Sequence, residues 1–132
     1  MAEPVWIARE ALELLHARSL QQFGGPAGLR DDGMLESALA RPQHQYHYGR
    51  VDLAGLATAY AFGLARKHPF VDGNKRAAYL ASVLFLRLNG LDLQAETPKS
   101  VAAILALAAG ELTEDELAGW IRRRMVERPV RG

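Results

Sequence analysis

Between residues 74 and 89 the chain leaves almost no polar face. Ala77, Ala78, Tyr79, Leu80, Ala81, Val83, Leu84, Phe85, Leu86 and Leu88 follow one another, interrupted only by Ser82 and Arg87. Wound at 3.6 residues per turn, such a run is apolar on every side and belongs at the centre of a fold, with other elements packed around it. Gly90 closes it. Its apolar-rich part, 77–86, falls well short of the ~18 residues that span a bilayer, so no membrane association is expected.

Helix signals recur on both sides of this run. A first helix over 7–22 puts Ala8, Leu12 and Leu15 on one face and stops at Gly24-Gly25-Pro26. On that reading His16 is a surface or edge residue. A short second helix opens at Asp31-Asp32, whose carboxylates suit a helix N-terminus, and ends before Pro42. Residues 42–50 lack any period and read as an exposed loop. The third helix takes Asp52 as N-cap and carries its apolar stripe on Leu53, Leu56, Ala57, Tyr60 and Leu64. It ends near Lys67, because Pro69 pushes His68 out of the helical region.

After the central run, Thr97-Pro98 starts a fifth helix that ends at Gly110. Thr113-Glu114-Asp115-Glu116 is a capping box for a sixth, with Leu117, Trp120 and Ile121 turned inward. Strand signals are confined to Val5-Trp6 and 91–93. The expected fold is all-α, about six helices around a buried central one, in a single domain over 1–132.

Composition narrows the function classes. A net charge of +1 does not suggest a general nucleic-acid surface, and direct nucleic-acid binding is not expected. The chain has no cysteine, which excludes disulfides and thiolate metal sites. The start, Met1-Ala2-Glu3-Pro4, lacks the basic and apolar regions of a signal peptide, so a cytoplasmic location is expected. Neither a Walker A pattern nor a dinucleotide G-x-G-x-x-G occurs.

The segment that carries chemistry lies just before the central helix: His68, Pro69, Phe70, Val71, Asp72, Gly73, Asn74, Lys75 and Arg76. Gly73 permits a positive φ and close approach of a ligand. The first turn of the helix presents unpaired N–H groups and the positive end of its dipole, a ready anion site. Lys75 and Arg76 add two cations there. Cations at a helix N-terminus are unfavourable by roughly 0.3–1 kcal/mol each, and a bound polyphosphate reverses that. Asp72 suits a Mg²⁺ ion between carboxylate and phosphate. The His68 imidazole suits a general base toward an attacking hydroxyl. The plainer alternative is a turn with an N-cap followed by a solvated first turn; it leaves the combination of base, acid, glycine and paired cations unexplained.

This segment resembles the signature of the Fic/Doc superfamily, and its Lys75, where AMP-transferring Fic enzymes have glycine, resembles the Doc branch. Segment 28–42, from Gly28 through Asp31-Asp32 to Pro42, is similar to the N-terminal half of Doc-like toxins, as is the helix ending Leu86-Arg87-Leu88-Asn89-Gly90. The similarity covers about 5–126. It implies a toxin of a type II toxin–antitoxin system: a protein kinase that uses ATP and Mg²⁺ to phosphorylate a threonine of elongation factor Tu. The resemblance assigns His68 as general base and Asp72 as the Mg²⁺-associated carboxylate, with Gly73, Asn74, Lys75 and Arg76 holding phosphates. Arg66 matches a functional arginine of the Doc branch; a solvated helix end is the alternative.

Lys75 takes space and charge in the phosphate cradle, so the nucleotide is expected to expose its γ- rather than its α-phosphate. Kinase chemistry is therefore preferred, with AMP or nucleotidyl transfer as the alternative and a catalytically silent antitoxin-binding module as the third reading. Many Fic enzymes carry an inhibitory helix whose glutamate precedes Gly or Asn; no glutamate here does, so restraint by a cognate antitoxin is expected. His44 and His47 have a metal-like spacing but no acidic or cysteine companions in sequence, and Tyr46 and Tyr48 are candidate target contacts. Arg122, Arg123, Arg124, Arg128 and Arg131 form a basic cluster, either a solvated face or an attractor for nucleic acid or an acidic antitoxin segment.

Overall fold

Local signals hold where they were strongest. The Asp52 carboxylate accepts from the Gly55 N–H, and Thr113 with Glu116 forms the reciprocal capping box. The structure, a computed structural model, describes residues 2–49 and 51–129. Among these run α1 (Arg9–Phe23), α2 (Asp32–Tyr48), α3 (Leu53–Lys67), α4 (Asn74–Leu88), α5 (Thr97–Ala108) and α6 (Glu114–Arg122). Strands β1 (Leu91–Leu93) and β2 (Met125–Glu127) pair antiparallel, Asp92 opposite Val126. The fold is all-α apart from this ribbon. No helix among the described residues is long and apolar enough to cross a membrane.

The centre, however, is α3 and not α4. Ten of the fifteen α3 residues are buried, against seven of fifteen in α4. α3 packs on α2, α4, α5 and α6. Residue size explains the reversal. α3 is built of Ala54, Ala57, Ala59, Ala61, Gly63 and Ala65, which let neighbours close in on all sides. At Gly63 a Cβ would stand 3.1 Å from Ala38 Cα on α2. The bulkier α4 leaves Leu80, Val83 and Leu84 half-buried and Leu88 41% exposed.

Three further expectations are corrected. α2 does not end before Pro42 but runs through it to Tyr48, with Pro42 fully buried. Proline forfeits one helix hydrogen bond; here its ring is buried, and beside it Arg41 ties α2 to the start of α6 through two bonds to Glu114 (2.5 and 2.7 Å). Residues 42–48 are therefore helical, and half-buried Tyr46 packs edge-on against Trp6 (5.7 Å between centroids). Tyr48 is exposed. Val5-Trp6 forms no strand; the Asn89 side chain accepts from Val5 N–H and donates to its carbonyl, at 2.8 and 3.0 Å.

His16 is the third correction: it is 5% exposed. α1 begins at Arg9, so Ala8 lies outside it as N-cap, and the buried face is Leu12, His16, Ser19 and Leu20. The arginine cluster is largely committed within the chain. Arg122 grips Asp52 with two bonds, Arg124 lies over the Trp120 ring, and Arg128 lies 3.6 Å from Asp92; Arg131 falls outside the described residues. The Arg122 guanidinium holds the Asp52 carboxyl below its ordinary range. His47 approaches Glu3 at 3.4 Å, and no group of three or more potential metal ligands occurs among the described residues.

Candidate active site

Segment 68–76 turns from the end of α3 into the start of α4, and an antiparallel strip from residues 28–31 supports it. Val71 N–H donates to Gly28 O (3.0 Å), and the N–H groups of Arg30 and Asp31 both donate to Pro69 O (2.7 and 3.0 Å). Leu29 and Phe70 form the bridge. The Arg30 guanidinium donates to Lys67 O and His68 O at 2.8 and 2.6 Å, satisfying carbonyls that α3 leaves without partners.

That grip accounts for an unusual backbone. His68 has φ 51 and ψ 58, the one positive φ outside glycine among the described residues. Pro69 does move it out of the right-handed helical region, into the left-handed one. Such a conformation costs a side-chain-bearing residue ~1–2 kcal/mol and persists only when the surroundings impose it. It leaves His68 exposed, its residue lining an open cleft.

The cleft, about 420 Å³, is lined by His68, Val71, Asp72, Gly73, Asn74, Lys75 and Arg76, with Val101 and Leu105 of α5 on the far side. Six of the seven expected site residues thus converge. Gly73 is left-handed (φ 77), and the first α4 hydrogen bond runs from Ala77 N–H to Gly73 O. The amides of Asn74, Lys75 and Arg76 therefore lie in the unpaired first turn. Asp72 lines the cleft, and its Oδ1 accepts from the Gly73 N–H at 2.7 Å.

Two residues sit differently from expectation. The Asn74 side chain is buried and faces backward, accepting from Phe70 N–H (2.9 Å) and donating to Phe70 O (3.0 Å). Both its polar atoms are spent on the loop, so only its backbone N–H is left for an anion. Arg66 is not in this cleft. It reaches Leu107 O at 3.5 Å, lies over the Phe62 ring, and lines a separate cleft with Thr113, Glu114 and Asp115. A turn of roughly 100° per residue separates positions two apart on a helix, which carries Arg66 to the α5–α6 side.

Arg76 also has partners within the chain: Ser19 O and Gly24 O, each at 3.4 Å, and the Phe23 ring. The carbonyl-bearing end of α1 thus offsets part of the cost of a cation at the α4 N-terminus. Lys75 is exposed and faces the cleft without that compensation.

Sequence reasoning missed four contributors. His16 follows Leu12 by four residues, a signal that was present. Arg30 gave none, because its partners lie 37 and 38 residues away. Val101 and Leu105 wall the cleft from a helix whose exposed side looked ordinary.

The model of the Fic/DOC family matches residues 6–86. The chain is 33% identical to "Protein kinase doc" of Escherichia phage P1 over 118 residues, 89% of this chain and 93% of that protein. It is 45% identical to "Toxin Doc" of Mycolicibacterium smegmatis (strain ATCC 700084 / mc(2)155) over 78 residues, 56% of this chain and 58% of that protein. With the family's loop at the mouth of the cleft and both relatives on one branch, the chain belongs to the Fic/DOC family, on its Doc branch.

Proposed function

We propose that the chain is a Doc-type toxin that transfers the γ-phosphate of ATP to a Ser or Thr hydroxyl of a translation protein, elongation factor Tu being the leading candidate. The observation that carries this reading is that His68 and Lys75 line one and the same cleft at the N-terminus of α4. The similarity to a protein named as a kinase supports it.

The residues present fit magnesium-bound ATP. Backbone amides of the first α4 turn, Lys75 and Arg76 suit the phosphates. Among the described residues no protein-only metal cage occurs. Mg²⁺ commonly needs none, being held by one or two carboxylates together with substrate phosphates; the Asp72 carboxylate is the matching donor. When bound, the ion neutralises phosphate charge.

His68 takes the proton of the attacking hydroxyl as its oxygen bonds to the γ-phosphorus. The bond to the β-phosphate oxygen breaks, and the charge left on ADP lies against Lys75 and the α4 dipole. A cognate antitoxin restrains the activity, in keeping with the relative named as a toxin.

The test is intact-mass analysis of elongation factor Tu after incubation with the chain and ATP labelled at the α- or γ-phosphate. A gain of one phosphate from the γ position is expected. A gain of AMP from the α position would replace phosphoryl by nucleotidyl transfer. No modification, with toxicity unchanged in His68→Ala, would leave a binding module.

A further inference from the structure

The peptide unit joining Asp72 to Gly73 is held at both ends. Its carbonyl oxygen lies 2.7 Å from His16 Nε2, and its N–H donates to Asp72 Oδ1, also at 2.7 Å. A carbonyl only accepts, so in this contact His16 Nε2 carries the hydrogen. His16 projects from the buried face of α1 and stacks on Phe70, with centroids 3.7 Å apart and planes within 10°. It lines a small hollow with Gly28 and Phe70, outside the cleft. A Cβ at Gly73 would stand 3.4 Å from its Nε2.

Such a lock has a physical reason. Gly73 has no side chain and tolerates either orientation of the peptide before it. As found, the Asp72 carbonyl is turned toward α1. Flipped by half a turn, its oxygen would point away from α1, bringing negative charge toward the amides and cations that suit an anion. Glycine does not choose between the two orientations. A buried donor on the α1 side does.

We propose that His16 is a positioning residue for the transfer reaction: its Nε2–H holds the Asp72 carbonyl out of the cleft and keeps the α4 N-terminus open to phosphate. The inference rests on the transfer reading above. His16 acts through the peptide and needs no contact with substrate.

The bond is tested first in the wild-type chain, by long-range ¹H–¹⁵N spectra of the imidazole. A hydrogen on Nε2 is expected; a neutral ring with its hydrogen on Nδ1 would overturn the lock without any mutation. Two variants then separate donor from ring. His16→Phe keeps the ring stacked on Phe70 and loses the donor; His16→Gln keeps an N–H near the Nε2 position and loses the ring. With elongation factor Tu and ATP, His16→Phe should lower kcat about tenfold to a hundredfold, the scale of a displaced catalytic loop, and raise the KM for ATP. His16→Gln should stay within about threefold of wild type while melting at a lower temperature than His16→Phe. That opposite ranking of activity and stability is what a merely structural residue would not give. Activity that tracks melting temperature in both variants would overturn the proposal. If the wild-type chain transfers nothing, the reaction reading falls by itself. The Gly73 amide signal then decides the lock: displaced in His16→Phe and restored in His16→Gln if it holds, unmoved in both if it does not.

Discussion

The two ends of α4 are built on the same plan and put to different uses. At each end an asparagine clamps a passing backbone: Asn74 brackets the N–H and C=O of Phe70, and Asn89 brackets those of Val5. At each end a glycine takes a left-handed turn, Gly73 at φ 77 and Gly90 at φ 80. The C-terminal end leads into the β1–β2 ribbon, with Arg128 N–H closing on Gly90 O. Its donors and acceptors are spent within the fold. The N-terminal end keeps amides, Lys75 and His68 at an open cleft, on a loop that the side chains of His16, Asn74 and Arg30 hold in place. The difference suggests a division of labour, with buried polar groups fixing the loop and exposed ones acting from it.

The largest effect expected from that division is at His68. His68→Ala removes no packing, so the melting temperature should stay near wild type. Transfer to elongation factor Tu should fall by about 10²–10⁴, the usual share of a general base. A loss below tenfold, in a rate assay at saturating ATP, would take His68 out of the reaction.

The paired asparagines come next. Asn74→Ala strands a buried N–H and carbonyl of Phe70, which should cost roughly 2–5 kcal/mol in denaturant unfolding and most of the transfer rate with it. Asn89→Ala strands groups of Val5, which is 53% exposed and has water at hand. It should cost about 1 kcal/mol and leave the transfer rate unchanged. Equal losses of activity in the two variants would erase the distinction between the ends.

How far this plan was legible depends on the reach of each interaction. The caps at Asp52 and Thr113 act within four residues, and their residue types announce them. Segment 68–76 was legible because its chemistry is contiguous in the chain. What clamps it is not: the His16 contact spans 56 residues and the Arg30 contacts 37 and 38, distances at which spacing carries no signal. The misplacement of the central helix has another cause. Apolarity measures what a helix prefers to bury, whereas the small residues of α3 determine how closely others can surround it. β2 lay hidden in an arginine-rich tail, because Met125–Glu127 is partnered only by a strand some thirty residues earlier.

The glycines give a smaller and more discriminating comparison. At Gly90 an added Cβ meets nothing within 4 Å, so Gly90→Ala should cost only the backbone strain of a left-handed residue, ~1–2 kcal/mol. Gly73→Ala bears the same strain and also crowds His16 Nε2 and Leu20 at 3.4 Å. It should therefore lower stability by at least as much and transfer by far more, measured by unfolding and by initial rate on the same samples.

The smallest effect is also the one with an unexpected sign. Lys75 is an exposed cation beside the positive end of α4. With no ligand bound it opposes the dipole, so Lys75→Ala should raise the stability of the free chain by roughly 0.3–1 kcal/mol. Arg76 should behave otherwise, because Ser19 O, Gly24 O and the Phe23 ring hold it, and Arg76→Ala should destabilise. With magnesium-bound ATP present the Lys75 sign should reverse: the wild-type chain gains more from the nucleotide than Lys75→Ala does, because only the ligand supplies the missing negative charge. Thermal melts with and without the nucleotide, at low ionic strength where the dipole term is least screened, read both signs in one experiment. A Lys75→Ala chain that is destabilised when free would mean that the lysine has a structural partner, and the contrast between a spent and an open helix end would lose its clearest residue.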